Sequence, residues 1–166
     1  MNSLQENLNN NLKNALKEKQ ELLILVLRGL NAAIHNKEIE KRTKLSKQEK
    51  DIKKLEELSK LSEEEVLEII SSEAKKRRDS IEEFKKGNRQ DLVDKETKEL
   101  EIIKNYLPEQ MSEEQIREEV KKSIAETGAA GPKDTGKVMS LVMPKLKGKA
   151  DGQVVSKIVG ELLKGE

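Results

Sequence analysis

ELLILVLRGLNAAIHNKEIEKR, Glu21–Arg42, is the stretch that decides the fold. Its opening run LLILVL, Leu22–Leu27, has the apolarity and length of a buried strand. The continuation points elsewhere. Leu23, Leu27, Leu30 and Ile34 recur at intervals of three and four, which gathers them on one face of a helix.

The flanking sequence keeps the same period. Upstream, Leu4, Leu8, Leu12, Ala15 and Leu16 form a second helical stripe, with Ser3 as its N-cap. Downstream, TKLSKQEKDIKKLEELSKL, Thr43–Leu61, is nearly all charge and reads as a marginal helix or a mobile connection. A longer helix opens at Ser62 and Glu65, which have capping-box spacing, and stops at Gly87. The next repeats Leu92, Glu96, Leu100, Ile103 and Tyr106 until Pro108 closes it. There a domain boundary is expected.

The remainder reads as three short helices with glycine-rich joints. Ser112 and Gln115 form a second capping box, and that helix should end at Gly128. Pro132 suits the first position of the next helix, with Asp134 in its first turn and Pro144 near its end. Asp151 is placed to cap the last. The expected fold is therefore all-α: a helical N-terminal domain over residues 1–107, then a three-helix module over residues 108–166.

Composition narrows the function. Charged residues make up 39% of the 166-residue chain and apolar ones 34%, so any core is small and built from helix faces. The formal net charge of +1 gives no global field for nucleic acid, and any anion-binding surface must be local. With no cysteine there is no disulfide framework, thiol nucleophile or thiolate metal site. The first residues lack an apolar signal core, and LLILVL is too short to span a bilayer. These features lead to an expectation of a soluble, cytoplasmic protein with no membrane partner.

Several patterns resemble chemistry without supporting it. GPKDTGKV, Gly131–Val138, nearly matches a phosphate-binding loop, but Val138 stands where a hydroxyl should hold magnesium, and a helix rather than a strand precedes it. GAAG, Gly128–Gly131, matches a four-residue RNA-binding loop whose surrounding strands are missing. His35 is the single histidine and forms no cluster for a metal. KKRR, Lys75–Arg78, fans around its helix among acids and reads as a solvated, ion-paired surface. No catalytic residue, metal ligand or cofactor site emerges.

MPKLKGKADG, Met143–Gly152, is different. Between Gly131 and Lys157 stand Lys133, Lys137, Lys145, Lys147, Lys149 and Lys157, against only Asp134 and Asp151. Glycines at 148 and 152 would admit a phosphate close to the backbone, beside a helix start. Phe84 and Tyr106 are the only aromatics, which disfavours stacking of splayed bases and favours RNA read by shape. Spacing alone leaves two readings open, a phosphate-holding loop and a soluble turn.

GKVMSLVMPKLKGKADGQVVSKIV, Gly136–Val159, with the upstream NYLPEQMSEEQIREEV, Asn105–Val120, resembles the GatB/YqeY family. SLQENLNNNLKNALKEK, EAKKRRDSIEEF and GNRQDLVDKETKELEIIKNYLP are similar to the helical N-terminal domain of YqeY proteins. Residues 46–60 look like an insertion relative to shorter relatives. The end of the chain resembles the tail domain of the B subunit of the glutamine-dependent amidotransferase that corrects mischarged Glu-tRNA and Asp-tRNA. The resemblance implies a tRNA- or structured-RNA-binding accessory protein, with Lys137, Lys145, Lys147, Gly148 and Lys149 facing the RNA. It also implies protein partners, namely amidotransferase subunits or an aminoacyl-tRNA synthetase. The family label, a carbon–nitrogen ligase with glutamine as amido donor, describes chemistry that resides in other domains and another subunit. The alternatives are a ligase component working with such partners and a helical adaptor that binds no RNA.

Overall fold

Glu21 to Leu45 is one unbroken helix in the computed structural model, which describes residues 4–165. The architecture is all-α, with no strand among the described residues. In chain order the helices are α1 (Leu4–Glu18), α2 (Glu21–Leu45), α3 (Ile52–Ser59), α4 (Glu63–Lys86) and α5 (Gln90–Lys104). They are followed by α6 (Glu113–Thr127), a 3-10 turn (Pro132–Asp134), α7 (Thr135–Leu146) and α8 (Gly152–Lys164). The chain divides into two compact units, one ending at Tyr106 and the other starting at Leu107.

In the first unit α2 touches α1, α3, α4 and α5. Val26, Leu27, Leu30 and Ile34 form its buried face, and Leu23 is half-buried beside them. Leu8 and Ala15 of α1, Val66, Ile70 and Ala74 of α4, and Val93, Leu100 and Ile103 of α5 complete the core. The strand-like look of LLILVL arises because Leu22 and Leu25 interrupt the buried stripe with apolar side chains that remain exposed. The N-cap expected at Ser3 lies outside the described residues.

The charged segment is more regular than a mobile connection. α2 runs on to Leu45, and Asp51 then starts α3 by accepting from the backbone N–H groups of Lys53 and Lys54, at 2.9 and 3.2 Å. Lys41 secures the far end of α3, donating to the Lys60 carbonyl at 3.0 Å and to the Glu65 carboxylate at 2.8 Å. Both halves of the Ser62–Glu65 capping box are formed. Hydrogen bonding from Lys41 and from the Ser62 backbone holds the Glu65 carboxyl below its ordinary range.

α4 stops at Gly87, but the left-handed residue is Asn88, with φ 51°, while Gly87 has φ −81°. Asparagine takes this conformation more readily than other residues with a side chain. α5 ends at Lys104, before Pro108 is reached, and the Tyr106 hydroxyl accepts from the Asn11 side chain at 2.9 Å.

Within KKRR, Arg77 is ion-paired as expected but only partly solvated: it bridges α4 to α5, with its guanidinium 2.9 Å from Glu96 and 2.8 Å from Glu99. Glu99 is only 1% exposed. Its burial is tolerable because Arg77 supplies a charge partner at hydrogen-bonding distance. Glu99→Ala should therefore lower stability by about 1–3 kcal/mol, less than a fully buried charge pair because Arg77 keeps Glu96 and some solvent. Glu101→Ala, on the exposed side of α5, should stay within about 0.5 kcal/mol. Equal urea midpoints for the two variants would contradict the role given to this pair.

In the second unit both halves of the Ser112–Gln115 capping box are formed, and Gly128 ends α6 at φ 64°. Pro132 does not open α7. It starts the 3-10 turn, and α7 begins at Thr135. Asp134 accepts from the Ala130 N–H at 3.0 Å, which fastens that turn. With its own core, capping and helix stops, the second unit should fold by itself. A fragment of residues 107–166 is expected to melt cooperatively in circular dichroism, although so small a core leaves it marginal. A fragment that stays coil-like would count against independent folding.

Candidate functional site

The second unit is a three-helix module closed around one apolar cluster. Ile116 and Val120 of α6 meet Val138, Val142 and Leu146 of α7 and Val155, Ile158, Val159 and Leu163 of α8. Val138, where a phosphate loop would place its magnesium-binding hydroxyl, is fully buried in this core. Among the described residues no group of His, Asp or Glu could hold a metal ion.

The joint between α7 and α8 follows directly from that packing. α7 continues through Pro144 to Leu146, so the proline lies inside the helix rather than ending it. A proline two residues from the helix end forfeits one backbone bond but keeps a helical φ. The turn itself comes at Lys147, which is extended (φ −56°, ψ 123°), and at Gly148, which is left-handed with φ 74°. Only glycine adopts that second conformation without steric cost. The N–H groups of Lys149 and Ala150 then return to the Leu146 carbonyl, at 2.9 and 3.2 Å.

The segment before α6 clamps this turn from outside. The Gln110 side-chain amide donates to the Gly148 carbonyl at 2.7 Å, and the Met111 N–H donates to the Lys149 carbonyl at 2.8 Å. Asp151 caps α8 by accepting from the Gln153 N–H at 2.8 Å. Gly152 serves packing: a Cβ there would lie 3.3 Å from the Met143 methyl carbon.

The five lysine-rich site positions separate into two groups. Lys137 donates to the Thr127 carbonyl at 2.7 Å, a cation placed on the C-terminal end of α6. Lys145 lies in the last turn of α7, and its ammonium is 3.0 Å from Glu126 and 3.7 Å from Glu119. These two lysines tie α7 to α6. The expectation of little local neutralisation fails at Lys145, because α6 folds its acids against the basic segment. Lys147 and Lys149 are exposed and flank Gly148 in the clamped turn. Lys157, farther along, stands 3.9 Å from Glu161, which also receives Arg117 at 2.7 Å.

These contacts give Asp151, Lys137 and Lys145 structural roles. Asp151→Ala should cost about 1 kcal/mol through the lost cap, seen as a lower melting temperature. Lys145→Ala should cost less than about 1 kcal/mol, because its ion pairs are partly exposed. A melting temperature unchanged by Asp151→Ala would contradict the capping role.

Comparison with known proteins places this arrangement. Residues 5–163 match the family model described as "Yqey-like protein". A protein of Lachancea thermotolerans named "Altered inheritance of mitochondria protein 41, mitochondrial" is 38% identical over 128 residues, 76% of this chain and 60% of its own length. The protein of that name from Pyrenophora tritici-repentis is 32% identical over 155 residues, 92% of this chain and 76% of its own. That from Saccharomyces cerevisiae is 33% identical over 119 residues, 70% of this chain and 56% of its own. This chain thus spans less than two thirds of the length of some of these relatives. Their names place them in mitochondria, which overturns the cytoplasmic expectation. The missing apolar core bore only on a secretory signal, and mitochondrial targeting segments are amphipathic and lack one. Matched along nearly its whole length, the chain belongs to the YqeY-like protein family.

Proposed function

We propose that this protein is an RNA-binding accessory factor that holds tRNA or another structured RNA against the turn between α7 and α8. The observation that carries the reading is the fixed geometry of that turn. Lys147 and Lys149 are exposed and flank a left-handed Gly148 in the chain, whose carbonyl is held by Gln110. A backbone ordered before binding loses little entropy when phosphates arrive.

The chemistry of the site suits a sugar-phosphate backbone better than bases. Both aromatics of the chain, Phe84 and Tyr106, belong to the first unit, so the module has no ring on which to stack a base. The start of α8 contributes positive partial charge, but the Asp151 carboxylate offsets it. Attraction therefore rests mainly on the two lysines. Lys137 and Lys145 act from behind, holding α7 and thereby the turn. The relatives' names make mitochondrial RNA the natural pool in which to seek the ligand.

The test is a tRNA titration over a salt series. Each phosphate contact contributes about 0.7–0.9 to the slope of log affinity against log salt, so Lys147→Ala with Lys149→Ala should flatten it by about 1.5 units. Lys145→Ala should leave the slope unchanged. Unchanged affinity and slope in the double variant would overturn the reading and leave a solvated turn.

A further inference from the structure

α2 has a second stripe that the core does not use. Leu22, Leu25, Gly29, Ala32, Asn36 and Ile39 follow one another at alternating steps of three and four, and every one is exposed. The three large ones, Leu22, Leu25 and Ile39, are 36%, 52% and 49% exposed. The spacing is that of the a and d positions of a coiled-coil seam. From Leu22 to Ile39 the stripe extends about 25 Å along the helix. Its middle forms one wall of an open groove of about 680 Å³, whose other wall is α4 with Ile69 and Ser72 among the charged Glu65, Glu68, Glu73 and Lys76.

We infer that this stripe is the self-association surface of the chain, and that its occupant is α2 of a second copy, running antiparallel. The sizes fit a two-fold crossing. Paired antiparallel, Leu22 meets Ile39, Leu25 meets Asn36, and Gly29 meets Ala32, so small residues stand where the helix axes cross. The same residues then serve both partners, as a two-fold interface requires. The flanking charges select the orientation. Antiparallel pairing brings Glu21 against Arg42 of the other copy, and Arg28 against its His35, whose ring carries a nitrogen acceptor rather than a second fixed cation. Parallel pairing would give neither match. Arg42 already stands 3.4 Å from Glu56 within its own chain, an exposed pair that is easily shared. A single helix-on-helix contact is a small interface, so the association should depend on concentration.

Sedimentation of the full chain over the micromolar range tests this. The expected result is a monomer–dimer equilibrium whose midpoint moves roughly tenfold or more toward higher concentration in Leu25→Glu and in Ala32→Glu, each of which buries a charge at the seam. Both positions are exposed in the monomer, so helix content should be unchanged. Should either variant lose it, the charge reversals Glu21→Arg and Arg42→Glu serve instead: each alone weakens the dimer and together they restore it. Register is read from spin labels, which the absence of native cysteine makes simple. Labels at Lys44→Cys should lie about 40 Å apart along the axis, whereas parallel pairing would bring them together. A monomer at every concentration, a dimer indifferent to these substitutions, or a close distance between the labels would overturn the inference. So would a monomer whose stripe takes up a helix from another protein.

Discussion

The first unit depends on one burial event, the removal of Val26, Leu27, Leu30 and Ile34 of α2 from water. Apolar residues make up only 34% of the chain, so the core that can be built is small. Fully burying one such side chain stabilises by about 1.5–3 kcal/mol. α2 is the helix on which α1, α3, α4 and α5 can all find apolar partners. The others contribute narrow stripes: two buried residues from α1, and three apolar ones each from α4 and α5. The arrangement is a central helix wrapped by amphipathic ones, and the exposed apolar residues of α2 lie on the side that is left over.

Charge completes what hydrophobic burial leaves unfinished. Lys41 joins α2 to the end of α3 and to the capping box of α4, and Arg77 joins α4 to α5 through Glu96 and the buried Glu99. In the second unit Lys137 and Lys145 anchor α7 to α6, and Arg117 joins α6 to α8. A chain that is 39% charged therefore uses part of its charge as helix-to-helix fasteners. The partly exposed pairs are individually worth little. They fix register and orientation between helices whose apolar stripes are too narrow to do so alone.

This division explains what was legible in the sequence. The two capping boxes, the Asp151 cap and the stop at Gly128 involve residues within four positions of each other, and local chemistry decides them. All-α architecture followed from the helical period running through Glu21–Arg42. Legibility fails where the partner lies far along the chain. Nothing in KKRR distinguishes Arg77 from its neighbours until α5 places Glu99 beneath it. Nothing around Lys145 announces Glu126, 19 residues earlier on another helix. The short α3 looked marginal because its stability comes from Asp51 and Lys41 more than from propensity. α4 stops at Gly87 as expected, but the left-handed position falls one residue later, on Asn88.

The same distinction reshapes the lysine-rich end of the chain. Six lysines in a short span look like one basic patch, but a patch needs cations that point outward from a common backbone. Packing α7 on α6 gives Lys137 and Lys145 partners on α6, so they act as supports. With Lys133 on the 3-10 turn and Lys157 on α8, the joint itself keeps two exposed lysines, on a turn whose central glycine is left-handed and whose carbonyls are clamped by Gln110 and Met111. Net charge near zero then becomes an advantage. A protein with no strong global field gains little from nonspecific attraction, so the proposed affinity for a phosphate backbone would come from where these few cations are held. On the proposed reading, the rigidity of the turn, set by its hydrogen bonds, would let so small a charge discriminate shape.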